Sequence, residues 1–183
     1  MGPFQYWLEH ALFQLIPAVT RFMTTQWGWP FIESVHFTGL ALLFGSIATW
    51  DLRLIGVMKQ VPLTALHRLV PFAVLGFAIN VITGLMFLMT EPGQYIYNPA
   101  FQIKMLFIGL AGLNVLLFYL TVFRRVSAPD ARAVSLQAAR LSGAVSLALW
   151  TGVIIGGRLI TFYRPLDCKP GQAIGFVADC ILR

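Results

Sequence analysis

Leu69-Val-Pro-Phe-Ala-Val-Leu-Gly-Phe-Ala-Ile-Asn-Val-Ile-Thr-Gly-Leu-Met-Phe-Leu-Met89 contains no charged side chain. A run of this length matches the ~20 residues an α-helix needs to cross ~30 Å of hydrocarbon at ~1.5 Å per residue. It closes on Glu91-Pro-Gly93. Three further stretches read the same way: Phe31–Trp50, stopped by Asp51 and Arg53; Phe101–Phe123, stopped by Arg124-Arg125; and Leu141–Phe162. The expected architecture is an all-α integral membrane four-helix bundle over residues 30–163.

Composition agrees. The 183 residues are 58% hydrophobic and 11% charged, with a mean hydropathy of +0.77. A soluble domain carries about 25% charged residues. The net charge of +6 does not point to nucleic acid, because the basic residues lie between apolar runs and form no basic reading helix or zinc-finger spacing.

Residues 1–29 lack the basic start and small-residue cleavage site of a signal peptide. Tyr6, Trp7, Leu8, Leu12, Phe13, Leu15 and Ile16 alternate with Gln5, Glu9 and Gln14. The pattern predicts an amphipathic helix lying in the membrane interface and ending near Pro17. Trp7, Trp27 and Trp29 suit the aromatic belt at the headgroups. Residues 164–183 form a polar tail with Cys168 and Cys180, a spacing that fits neither a CxxC redox motif nor a zinc site. A disulfide and two free thiols both stay open.

Orientation follows from the basic residues. Arg53, Lys59, Arg68, Arg124, Arg125, Arg132 and Arg140 flank one side of the spans, whereas most acids lie on the other. The positive-inside rule places the basic loops in the cytoplasm and both termini, with the cysteines, outside. Gly152-Val-Ile-Ile-Gly156 is a GxxxG, with Gly39, Gly45, Gly84, Gly109 and Gly112 as further small faces for bundle packing or homo-oligomer contacts.

Ionisable groups inside a span are costly and mark partners or cavities. Glu33 and His36 stand one turn apart in the first span, Lys104 lies near the start of the third, and Arg158 lies a turn before the end of the fourth. The second adds Asn80, Thr83 and Met86 along one face. Antiparallel helices thus bring Glu33, His36, Thr83, Lys104 and Arg158 to one level near the outer surface. Plainer readings stand beside this one. Lys104 and Arg158 could snorkel to the interface, Glu33 could be a solvated helix-start carboxylate, and His36 a hydrogen-bonded packing residue. Asn80 and Asn114 read as inter-helix hydrogen bonders, Asp51 with Arg53 as a boundary pair, and His67 as solvated.

Two chemistries would use the layer. A b-type haem needs an axial nitrogen from His36 and cations for its propionates from Lys104 and Arg158. Its sixth ligand is open among His10, Met86, Met105 and none at all. With three histidines in the chain, two bis-His haems are excluded. Alternatively, Cu(I) favours thioether and imidazole ligands, which Met86, Met89, Met105 and His36 could supply. HExxH, GxSxG, P-loop and Rossmann patterns are absent from the sequence.

Glu33-Ser-Val-His36, Asp51-Leu-Arg-Leu-Ile-Gly56, Asn98-Pro-Ala-Phe-Gln-Ile-Lys104 and Gly157-Arg158 resemble an uncharacterised bacterial four-helix membrane family, the DUF6644-like proteins, over about residues 5–163. More distantly, His36 and Lys104 are similar to residues of the HemJ-type protoporphyrinogen oxidases, which would imply haem or porphyrin at these positions. The layout also resembles CopD-type copper-resistance proteins, which would imply copper handling with His36. Three readings result. The first is a haem-b-binding electron-transfer subunit between the quinone pool and a periplasmic redox partner. The others are a copper-handling membrane protein and a cofactor-free accessory subunit of a larger complex.

Overall fold

The computed structural model describes residue 11 and residues 17–57, 60–123 and 133–163. Most of the interfacial segment, including His10, and the whole cysteine-bearing tail lie outside the described residues. The elements are α1 (Pro17–Met23), α2 (Gly28–Ile55), α3 (Leu63–Leu66), α4 (Val70–Thr90), α5 (Pro92–Ile96), α6 (Pro99–Leu117) and α7 (Ala133–Leu159). A 3-10 turn at His67–Leu69 leads into α4, and a π-helical segment at Phe118–Phe123 continues α6. No strand occurs among the described residues.

Four helices are long and apolar enough to cross a membrane. Their outward faces fit lipid. On α6, Leu106, Leu110, Leu113 and Leu116 are all exposed, and on α4 so are Phe72, Leu75 and Ile82. An unbroken apolar face of that kind is a liability in water and the ordinary condition in hydrocarbon.

α2 is longer than the span Phe31–Trp50, because Asp51 and Arg53 are taken into the helix instead of ending it. The helix stops at Gly56, whose φ of 106° is the left-handed conformation only glycine adopts freely. The N–H groups of Gly56 and Val57 both return to the Leu52 carbonyl. Pro17 stands first in α1, where its missing N–H costs nothing. Met23, at the end of α1, is buried with Ile32 and Phe87.

The spans pack in the order α4–α2–α7–α6. A central cluster joins Leu43, Ala111, Trp150 and Val153, and a third at the far end joins Leu54, Phe118 and Ala139. Glycines set the closest approaches, as van der Waals packing in a membrane requires. A β-carbon at Gly76 would stand 2.6 Å from the Leu43 nitrogen and 2.7 Å from the Gly39 carbonyl oxygen. The GxxxG pair faces α6: a β-carbon at Gly152 would meet the Phe107 ring at 2.7 Å, and one at Gly156 would meet Lys104 at 3.1 Å. Gly45, Gly109 and Gly112 face open space.

Candidate functional site

At the end of the bundle where α2 begins, Thr83 is 3% exposed and its Oγ1 lies 2.7 Å from His36 Nδ1. Which atom donates is settled by the threonine. Its single hydroxyl hydrogen goes back to the Ile79 carbonyl at 2.7 Å, the usual destination for a threonine inside a helix. Thr83 therefore accepts from Nδ1–H, and in the neutral ring this is the tautomer that leaves Nε2 its lone pair. A histidine whose Nδ1–H is anchored to an oxygen and whose Nε2 is free has the orientation of a metal-ligating imidazole.

The ring is half-buried and held edge-on by Phe87, at 5.7 Å between centroids. Phe87 in turn packs on Trp29 at 4.9 Å. On the Cε1 side stands Gly84, where even a β-carbon would be 4.0 Å away. That is ordinary van der Waals distance, so α4 closes against this edge of the ring through a glycine.

Lys104 reaches this level from α6. Its stem runs along the glycine pair of α7: a β-carbon at Gly157 would lie 3.5 Å from its Nζ. Gly156 and Gly157 thus form a groove that lets a long cationic side chain lie inside the bundle.

Of the predicted layer, the bundle brings His36 and Thr83 into contact and lays Lys104 along the glycine pair of α7. Glu33 is exposed at the start of α2, and Arg158 is exposed on α7 with its guanidinium 5.5 Å from the Phe162 ring centroid. Met86 packs into the Met23–Ile32–Phe87 cluster, and Met105 is 49% exposed, so the two thioethers sit in an apolar cluster and on the outer surface. No group of three or more His, Cys, Asp or Glu suited to a metal occurs among the described residues. Asn80 donates to the Gly76 carbonyl of its own helix, whereas Asn114 and Ser142 bond reciprocally between α6 and α7.

Asn98 is a structural member of this end that residue-type reasoning passed over. It is completely buried. Its Oδ1 caps α6 by accepting from Ala100 N–H, and its Nδ2 donates to the Ile160 and Tyr163 carbonyls at the end of α7. The legible signal was Asn before Pro at a helix start, a cap followed by proline at the first helical position.

Fold and site together define a four-helix membrane bundle with an anchored imidazole on α2 and a half-buried lysine on α6. Comparison with protein-family models, curated proteins and solved structures returns no match.

Proposed function

We propose that the chain is a haem-b-binding electron-transfer subunit of a bacterial inner membrane. Its His36 end and both termini face the periplasm, and it passes electrons between the quinone pool and a periplasmic redox partner. One observation supports this most: the Thr83 anchor on His36 Nδ1, which orients the ring as a ligating imidazole is oriented. His36 would supply the axial nitrogen, and Thr83 would hold the ring's tautomer and orientation. Lys104 would offer its ammonium to a propionate, while Phe87 and Trp29 would screen the ring from water. Bound haem would supply one-electron chemistry. Arg158, turned toward Phe162, takes no part in this reading.

The test is an absorption spectrum with metal analysis on purified protein, before and after haem reconstitution. A Soret band that His36→Ala removes is the expected result. No band under either condition overturns the reading, and stoichiometric copper would favour the copper-handling alternative. Thr83→Val keeps the side-chain shape but removes the anchor, and should weaken haem binding by about 10–100-fold, the usual cost of losing such a partner. Lys104→Gln should weaken it by about tenfold, through loss of a charge-assisted bond worth about 1.5 kcal/mol.

The outward turn of Glu33 and Arg158 favours a second reading, a cofactor-free accessory subunit that offers these charges to a neighbouring membrane protein. It predicts a partner that co-purifies with the wild type and is lost on Glu33→Gln with Arg158→Gln, while His36→Ala leaves assembly unchanged.

A further inference from the structure

Asp51 lies at the opposite end of α2 from His36, about a turn before the Gly56 cap. The residue is 3% exposed. Its side chain is hydrogen-bonded to Ser146 of α7, itself 4% exposed. The second carboxyl oxygen, Oδ2, is fully enclosed and has no hydrogen-bond partner. Gly143 brings α7 close to this turn of α2: a β-carbon there would stand 3.0 Å from the Asp51 main-chain carbonyl oxygen.

The charged and titratable groups at this end include Arg53, Arg140, His67 and Tyr119. Arg53, two residues on, donates through Nε to the Val61 carbonyl. Arg140 on α7 is exposed. His67, from the turn before α4, is exposed and stacks edge-on to Trp50 at 6.0 Å. Tyr119, from the π-helical segment, packs on the Leu54–Phe118–Ala139 cluster. An enclosed carboxylate with one oxygen unpaired is among the costliest arrangements a bundle can hold. A neutral carboxylic acid in the same place leaves only a polar hydroxyl to satisfy.

We propose that Asp51 is an intramembrane proton-binding site: it holds a proton as a neutral acid against Ser146 and exchanges it with the aqueous phase at the Gly56 end of the bundle. The proton is taken up from water by the carboxylate and returned there; no other bond changes. From Asp51 to Gly56 the path is about 7–8 Å of helix, short enough for water to reach when α7 loosens at Gly143. The assignment is independent of any cofactor at His36.

The experiment is infrared difference spectroscopy of the full-length protein in lipid, near neutral pH. The wild type should show a carboxylic-acid C=O stretch that shifts in D2O and moves on carbon-13 labelling of aspartate, and Asp51→Asn should lack it. Ser146→Ala, which keeps the acid but removes its hydrogen bond, should move the band to higher frequency. Isotope labelling requires no substitution, so the result stands even if Asp51→Asn fails to fold. Absence of a labelled acid band in the wild type overturns the proposal. So does a labelled band that persists unchanged in Asp51→Asn, or a band abolished by sodium in place of protons.

Discussion

Gly76→Leu is expected to separate α2 from α4 and to cost about 3 kcal/mol or more, the upper end of overpacking. At Gly39 or Gly152 a new side chain would meet another side chain that can turn aside. At Gly76 it meets the backbone nitrogen of Leu43 and the carbonyl oxygen of Gly39, and neither moves without its helix. The damage would not stay local. α2 holds His36 and α4 holds Thr83, so parting the helices also breaks the bond that sets the imidazole. Thermal unfolding in detergent micelles checks the stability, and exposure of the crossing can be read by labelling a cysteine placed at Ala73. Gly45→Leu is the control: nothing lies within 4 Å of that position, and the midpoint should scarcely change.

The second large effect is expected at Asn98. Replacing it by alanine removes a helix cap worth about 1 kcal/mol and two buried bonds of about 1 kcal/mol each. The expected loss is therefore about 3 kcal/mol, read as a lower unfolding midpoint. Asn98→Asp separates the contributions. It retains an oxygen for Ala100 N–H but has no amide to donate, and it turns a carboxylate toward two carbonyls of α7. If capping dominates, the aspartate variant stays near wild type; if the tie between α6 and α7 dominates, it is as unstable as the alanine variant. The geometry favours the second outcome.

The spans were legible because a membrane demands long apolar runs and because Leu69–Met89 admits few other readings. Their ends were less so. Charge at Asp51 and Arg53 reads as a stop only if it meets water, and here α7 covers the aspartate while Arg53 finds a carbonyl. The site was legible in depth but not in direction. Counting residues places Glu33, His36, Lys104 and Arg158 at one level. Which of them face inward depends on how each helix is rotated against its neighbours. The face Asn80–Thr83–Met86 shows the limit: Thr83 meets His36, Asn80 bonds its own helix, and Met86 joins an apolar cluster. Nor could composition reveal that Gly156 and Gly157 make space for Lys104, since the value of a glycine lies in what occupies the space it leaves.

The packing order has a consequence for assembly. α2 and α4 form one hairpin, α6 and α7 another, and the two meet chiefly along α2 against α7. The first span of the chain must therefore wait for the last before its inner face is covered, leaving the Asp51 carboxyl without its serine until the whole polypeptide has entered the bilayer. A chain divided between the hairpins should still yield two insertable halves able to recombine, because the cut removes a tether and leaves the shared seam intact.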